Sequence, residues 1–284
     1  MDASTPLFVL DIPALSHAKQ SASHGNITCT RTLSNSGGPI YLLTFSSPPD
    51  NRLVTPFLKS LFLALDILEF SYPHGVVVTT SGVPKFYSNG LNLEHARDTH
   101  NFFPESFFAL LRRFLTYPMT TIALVNGHAF AAGLMLAMYH DYRVMNPSRG
   151  FVCLNELDFG APLKPAMSSI FRQKLRPDVY RTLVLEAHRF TGDEAFKSGI
   201  VDLLGNYIDT VEFIDERKLA TKHISGIYGL MKAEMFRETL SYIDEYDIEE
   251  HKIQNFSASN QQREADSRKR VEIWRQNTQP KSKL

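Results

Sequence analysis

The stretch MTTIALVNGHAFAAGLMLAMYHD, residues 119–141, decides the fold class of this chain. Its residues 121–125 form a short apolar run, which indicates a strand that is buried on both faces. After the turn at Asn126 and Gly127, the small residues of 131–138 predict a helix whose backbone packs close to a neighbour. The amino-terminal amides of that helix would face whatever lies above the strand ends.

Strands and helices alternate along the chain before this stretch. Residues 41–45 and 76–79 are rich in apolar and β-branched side chains and predict two further strands. Between these two strands, apolar residues recur at helical spacing over residues 57–68. A second helical pattern covers residues 107–115, between the strand at 76–79 and the strand at 121–125. This alternation of strand and helix predicts an α/β fold.

The sequence pattern divides the chain into four regions. Residues 1–26 mix Pro, Ser, His and Gly without periodicity, which predicts an irregular amino-terminal arm. We expect the α/β core to occupy residues 27–205 and a helical carboxy-terminal region, built of amphipathic helices, to occupy residues 206–276. Residues 277–284 are polar and predict a flexible tail.

Composition excludes several classes of protein. The 284 residues carry 30 basic and 30 acidic side chains, and this balance argues against a binder of duplex nucleic acid, which normally presents a strongly basic face. Two cysteines, Cys29 and Cys153, are too few and too far apart to predict a disulfide framework or a zinc site. We find no apolar run of the roughly 18 residues that a membrane helix needs, so neither membrane insertion nor secretion is expected. Nucleotide-binding glycine motifs are also missing from the sequence.

The last three residues, Ser282, Lys283 and Leu284, match the carboxy-terminal address that directs proteins to peroxisomes. The polar stretch before them would leave the tripeptide accessible to a receptor. The sequence therefore predicts the peroxisomal import receptor as a partner and the peroxisome as the location.

Glycine-marked segments follow or lie beside the short strands in a fixed order. They are KFYSNGLNL at residues 85–93, the stretch 119–141, NELDFG at 155–160, and FTGDEA at 190–195 followed by GIVD at 199–202. Together they resemble the enoyl-CoA hydratase/isomerase family, or crotonase superfamily, over about residues 27–205. Within it, FYSNG and NGHAFAAGL are most similar to the peroxisomal Δ3,Δ2-enoyl-CoA isomerases.

The resemblance implies both an architecture and a substrate class. The expected fold is a crotonase-like spiral of ββα units with a helical carboxy-terminal region, assembled as a homotrimer or as a hexamer made of two trimers. The expected substrate is an acyl-CoA, and no metal or redox cofactor is expected, because the CoA arrives as part of the substrate.

The resemblance also assigns site residues. The backbone amides of Leu91 and Ala132 would donate to the enolate oxygen that forms when a proton leaves the carbon next to a thioester carbonyl. The loop formed by Asn89, Gly90, Leu91, Asn92 and Leu93 would line the pocket for the CoA adenine. Arg52 and Lys85 are candidates for binding the CoA phosphates.

Glu156 is the predicted base. Most of its neighbours in sequence are apolar, so its carboxylate would lose hydration and its pKa would rise toward neutrality. In a double-bond shift, a base placed there would take a proton from C2 and return it at C4.

Two positions depart from the family pattern. Met135 stands where family hydratases carry a second glutamate, and a thioether cannot deliver the proton that water addition needs. This favours isomerisation of 3-enoyl-CoA to 2-trans-enoyl-CoA. Asn92 stands where the family more often has Asp, although Asn makes similar turn hydrogen bonds.

Two alternatives stay open from sequence. One is an enoyl-CoA hydratase or another crotonase-type enzyme of a biosynthetic pathway. The other is a non-catalytic crotonase-like protein that binds acyl-CoA, although such a protein has no need of a carboxylate among apolar residues.

Overall fold

The computed structural model describes residues 5–15 and 25–278 of the chain. Within those residues the backbone folds into two sheets, one of seven strands and one of three. The strands are β1 (Phe8–Ile12), β2 (Gly25–Leu33), β3 (Pro39–Ser46), β4 (Val76–Ser81), β5 (Phe86–Ser88), β6 (Thr120–Val125), β7 (His128–Phe130), β8 (Tyr142–Met145), β9 (Val152–Cys153) and β10 (Leu203–Leu204).

Helices fill the intervals between the strands and most of the chain after β10. They are α1 (Thr55–Ser71), α2 (Leu93–Asp98), α3 (Ala109–Thr116), α4 (Ala132–Met138), α5 (Glu156–Phe159), α6 (Pro165–Lys174), α7 (Pro177–Leu185), α8 (Gly192–Lys197), α9 (Tyr207–Glu216), α10 (Tyr228–Met235), α11 (Arg237–Asp244) and α12 (Tyr246–Thr278). A π-helix covers Phe103–Phe108 and a 3₁₀ helix covers Leu219–Ser225. None of the described helices is both long enough and apolar enough to cross a membrane.

The large sheet has the order β1-β2-β3-β4-β6-β8-β10 and the small one the order β5-β7-β9. β1, β2 and β3 pair antiparallel, whereas all pairs from β3 to β10 and all pairs of the small sheet are parallel. The chain therefore follows the same path three times: a strand of the large sheet, then a strand of the small sheet, then one or more helices. The predicted α/β fold with ββα repeats is confirmed.

Apolar residues on β4 and β6 explain why these strands lie at the centre of the large sheet. Every residue of both strands is buried, as their two-sided apolar runs predict. One face of the sheet packs against α9 and the following 3₁₀ helix, through Phe213, Ile214 and Leu219. The compact unit that contains both sheets therefore reaches Ile243, beyond the predicted core boundary at residue 205.

The expectation of an irregular arm over residues 1–26 is wrong for residues 8–12. They form β1, which pairs antiparallel with β2 from Phe8 opposite Cys29 to Ile12 opposite Gly25. The partner strand lies far along the chain, so local composition does not show this pairing. At the other end, a second compact unit begins at Asp244 and contains α12, and residues 279–284 of the predicted tail lie outside the described residues.

Helix α4 approaches the small sheet as closely as its small residues predict. A Cβ atom added at Gly133 would lie 2.3 Å from the backbone oxygen of Ser88 on β5, which is far inside van der Waals contact. Only glycine allows this approach, and it fixes the distance between β5 and the start of α4.

Gly133→Ala should therefore destabilise the fold, because the added methyl group meets backbone that cannot rotate away. We expect the free energy of unfolding to fall by about 3 kcal/mol or more, measured by chemical denaturation. Gly37→Ala is the control, since a Cβ there meets nothing within 4 Å and the left-handed φ of 81° alone costs about 1 kcal/mol. Equal losses in the two variants would contradict the close approach.

Candidate active site

The parallel register of the small sheet brings three chain segments together. β5, β7 and β9 lie side by side and run in the same direction, so their carboxyl ends meet at one edge of the sheet. The residues that leave this edge are 89–92, 131–133 and 154–156, which contain the predicted amide donors and the predicted base. Segments that are distant in sequence thus converge because each follows a strand of the same sheet.

A cavity of about 280 Å³ lies at this edge and contains the three residues predicted to act on the substrate, Leu91, Ala132 and Glu156. The other described residues in its wall are mostly apolar. They are Arg52, Asn89, Leu93, Phe103, Ala131, Met135, Asn155, Phe159, Ala161, Pro162, Lys164 and Met167.

The turn that carries Leu91 is held by a parallel bridge to Leu53. The Leu53 amide donates to the Gly90 carbonyl at 2.9 Å, and the Asn92 amide donates to the Leu53 carbonyl at 3.3 Å. Because Leu53 bonds to the residues on either side of Leu91, the amide of Leu91 itself faces away from this bridge. The Leu91 amide donates to no group in the part of the chain that the structure describes.

The second amide belongs to the first residue of α4. Ala131 precedes it with a φ of 50°, and its own amide donates to the Cys153 carbonyl at 3.0 Å. Because Ala132 begins the helix, the residue four positions before it is not helical and cannot accept from its amide. Among the described residues, the Ala132 amide has no other acceptor. The Gly90 turn, with a φ of 82°, lies against it, because a Cβ added at Gly90 would be 3.3 Å from the Ala132 nitrogen. Two unpaired donors therefore lie close together beside the cavity.

Glu156, the first residue of α5, has the environment that its apolar neighbours predict. It is 8% exposed, and its Oε2 atom has no hydrogen-bond partner among the described residues. Burial raises the pKa of Glu156 to about 7, and a hydrogen bond with the backbone opposes this rise only in part. A carboxyl with such a pKa exchanges a proton readily near neutral pH.

Met135 lines the same cavity and is buried. Among the described residues of the cavity wall, Glu156 is the one carboxylic acid. Among the described residues, the cavity wall thus contains one carboxyl group together with the two residues that carry the backbone donors.

The five residues predicted to bind CoA divide into two groups. Asn89, Leu91 and Leu93 line the cavity, whereas Gly90 and Asn92 lie outside its wall and shape the loop. The Asn92 side chain caps α2 by accepting from the His95 amide at 3.0 Å, the kind of turn hydrogen bond expected of an asparagine there.

One of the two predicted cations lines the cavity. Arg52 lines it, with its Nε atom 3.0 Å from Asp50 Oδ2 and one terminal nitrogen donating to the Leu91 carbonyl at 3.2 Å. Lys85 is not part of the wall, and its Nζ atom lies 5.4 Å from the centroid of the Phe86 ring. Sequence reasoning missed Lys164, whose Nζ atom lies 4.9 Å from the ring centroid of Phe103 in the same wall. No motif around residue 164 in the sequence indicates this position.

Comparison with known proteins agrees with this geometry. Residues 35–272 match the family model described as enoyl-CoA hydratase/isomerase. This match covers most of the chain, and the chain therefore belongs to the enoyl-CoA hydratase/isomerase family. The prediction made from the glycine-marked segments is confirmed.

Two relatives from Arabidopsis thaliana and one solved structure give the degree of similarity. Enoyl-CoA delta isomerase 3 is 31% identical over 223 residues, covering 73% of this chain and 92% of the relative. Enoyl-CoA delta isomerase 1, peroxisomal, is 32% identical over 219 residues, covering 73% and 91%. The crystal structure of human mitochondrial delta3-delta2-enoyl-CoA isomerase superposes with a TM-score of 0.66 at 21% identity, covering 88% of this chain and 99% of the other. The shared fold is the predicted crotonase fold.

The raised pKa of Glu156 should make Glu156→Gln increasingly stable relative to the wild type as pH rises. The folded state holds the Glu156 proton more tightly than the unfolded chain does, because the pKa of Glu156 in the unfolded chain has the ordinary value of 4.5. The bound proton therefore stabilises the folded wild type. This contribution to the free energy of unfolding has its full value below about pH 4.5 and is lost as the pH rises through about 7. Between these limits the difference in free energy of unfolding should change by about 3 kcal/mol in favour of the variant.

Denaturation of both proteins at intervals from pH 5 to pH 8 measures this difference. Glu212→Gln, at an exposed position of α9, corrects for the loss of a surface carboxylate. A difference that does not change with pH would mean that the Glu156 carboxyl is not desolvated in the folded protein.

Proposed function

We propose that this protein is a Δ3,Δ2-enoyl-CoA isomerase, which moves the double bond of 3-enoyl-CoA to give 2-trans-enoyl-CoA. The observation that carries the proposal is one buried carboxyl, Glu156, in the wall of the same cavity as the amides of Leu91 and Ala132, which have no acceptor among the described residues. The names of three Arabidopsis relatives, all enoyl-CoA delta isomerases at 31–32% identity, support the same reaction.

In the first step, the ionised Glu156 carboxylate removes a proton from C2 of the substrate. The electron pair of the broken C–H bond moves onto the thioester carbonyl and forms an enolate conjugated with the C3–C4 double bond. The amides of Leu91 and Ala132 donate to the enolate oxygen, and because they are fixed in the fold they need not reorganise as its charge develops.

In the second step, the protonated Glu156 returns the same proton to C4. The electrons of the C3–C4 double bond form the new bond to this proton, the enolate pair forms the C2–C3 double bond, and the carbonyl is restored. The carboxyl ends ionised, as it began. A pKa of about 7 suits both steps, because the group must act as a base and then as an acid.

Met135 supports isomerisation over the alternative of hydration. Its thioether lines the cavity where the family resemblance predicts a second glutamate in hydratases, and it cannot exchange a proton. An isomerase needs only one acid, because the proton that leaves C2 is the one that returns at C4. The buried carboxyl of Glu156 also argues against a non-catalytic acyl-CoA-binding protein, since binding alone does not offset the cost of burying an ionisable group.

The proposed chemistry uses no metal or redox cofactor. Proton transfer and enolate stabilisation are both supplied by residues of the chain, and the CoA enters and leaves with the substrate. Arg52 and Lys164, the cations in the cavity wall, are the candidates for contacting the CoA phosphates.

For the location, we propose import into peroxisomes through Ser282, Lys283 and Leu284, which lie outside the described residues. Two Arabidopsis relatives are named peroxisomal, which supports this location. For the assembly we propose a homotrimer or a hexamer. Exposed apolar side chains along residues 224–235 support it, because a partner subunit would cover them: Ile224, Ile227, Leu230, Met231 and Met235.

Glu156→Gln should lower the isomerisation rate by about 10²–10⁴-fold, because the amide keeps the size of the side chain but cannot accept the proton. The rate is measured with 3-cis- and 3-trans-enoyl-CoA as substrates. Binding of the 2-trans product should survive, and its dissociation constant serves as the control for an intact site.

Hydration of 2-trans-enoyl-CoA by the wild type provides the decisive comparison. If the wild type adds water faster than it isomerises either 3-enoyl substrate, the reaction assigned from Met135 is wrong. A Glu156→Gln variant with nearly full isomerase rate would instead refute Glu156 as the base.

Removal of Ser282, Lys283 and Leu284 should leave the protein in the cytosol, because the import receptor reads this carboxy-terminal tripeptide. The measurement is the distribution of a fluorescent protein fused to the amino terminus of the full and the shortened chain. Punctate fluorescence that persists after the deletion would contradict the proposed route.

A further inference from the structure

We infer that Asn51 is a positioning residue that fixes the Leu91 amide for catalysis, an inference that rests on the proposed function. Asn51 lies in the loop between β3 and α1 and does not line the cavity. Its side chain is completely buried, and its backbone has a left-handed φ of 52°. A buried asparagine held in this conformation needs a full set of partners to be stable.

The Asn51 side chain joins three parts of the fold. Its Oδ1 atom accepts from the Ser47 amide at 2.7 Å, within its own loop. Its Nδ2 group donates to Ser81 Oγ at 2.6 Å at the end of β4, and to the carbonyls of Phe86 and Tyr87 at 3.2 and 3.0 Å on β5. The side chain therefore attaches the loop to the strand that leads into the Leu91 turn.

The backbone of Asn51 continues this attachment into the turn itself. Ser88 Oγ donates to the Asn51 carbonyl at 2.8 Å and accepts from the Gly90 amide at 3.2 Å. The hydroxyl thus connects Asn51 to the residue directly before Leu91.

Neighbours of Asn51 in the loop hold the rest of the turn. The Asn89 amide donates to the Asp50 carbonyl at 3.0 Å, and the bridge from Leu53 bonds the carbonyl of Gly90 and the amide of Asn92. Every one of these bonds depends on the loop keeping its place against β5. The Asn51 side chain is the buried contact that attaches this loop to both β4 and β5, so its loss should displace the Leu91 amide without removing it.

Displacement of a donor predicts a specific kinetic result. Asn51→Gly removes the side chain while allowing the left-handed backbone, and Asn51→Asp keeps the shape but removes the donor to β5. In both variants we expect kcat for isomerisation to fall about 10–100-fold, because a small misplacement of an oxyanion donor costs that much. KM should change less than about threefold, since the apolar cavity wall is unaltered.

A spectroscopic readout separates positioning from stability alone. A conjugated 2,4-dienoyl-CoA bound in the site absorbs at longer wavelength when fixed donors polarise its carbonyl group. The shift should be smaller in Asn51→Gly and Asn51→Asp than in the wild type. Ser88→Ala breaks the connection between the Asn51 carbonyl and the Gly90 amide but keeps the Asn51 side chain. It should reduce the shift as well and provides a second route if the Asn51 variants do not fold.

Asn126→Gly is the matched control. Asn126 also bonds to Ser81, accepting from its amide at 3.3 Å and donating to its carbonyl at 2.7 Å, but no hydrogen bond joins its side chain to the Leu91 turn. This variant should keep the wild-type shift even if it is less stable. Equal shifts in the wild type and the Asn51 and Ser88 variants would overturn the inference. A wild type that shows the shift but does not isomerise would refute the proposed function, and the comparison of shifts would still decide the role of Asn51.

Discussion

The close approach between the Gly90 turn and the start of α4 is the constraint on which the rest of the site depends. A methyl group at Gly133 would collide with the Ser88 carbonyl, and one at Gly90 would lie 3.0 Å from the Phe130 carbonyl. Glycine at both positions lets two backbone segments lie side by side at the end of a parallel sheet. Among the described residues the amides of Leu91 and Ala132 then have no acceptor, which is costly for stability. In the proposed reaction, both donate to an oxygen with developing charge.

The electrostatics of the cavity follow from this backbone arrangement. In the proposed reaction, the two amide donors stabilise negative charge on a substrate oxygen without a positive side chain beside Glu156. Burial therefore dominates the environment of the carboxyl and raises its pKa to about 7. An arginine or lysine paired directly with Glu156 would lower its pKa again and make it a poor acid for the second proton transfer.

Sequence alone predicts the parts of the site that directly follow strands. The family resemblance of the glycine-marked segments assigned Leu91 and Ala132, and it supported Glu156 together with its apolar neighbours. These residues line one cavity because each follows a strand of the small sheet. Asn51 and Lys164 could not be found in this way, because their contacts with the turn and the cavity come from loops and helices that pack at long range. The same holds for β1, whose partner strand β2 cannot be identified from the composition of residues 1–26.

Burial in the cavity holds Glu156 at the boundary between its acid and its base form. Infrared difference spectroscopy of the wild type against Glu156→Gln, from pH 4 to pH 9, measures the protonation of Glu156. Of the two forms of its carboxyl group, only the protonated form has a carbonyl stretching band. We expect a band that disappears with a midpoint near pH 7. A midpoint near the ordinary value of 4.5 would contradict it.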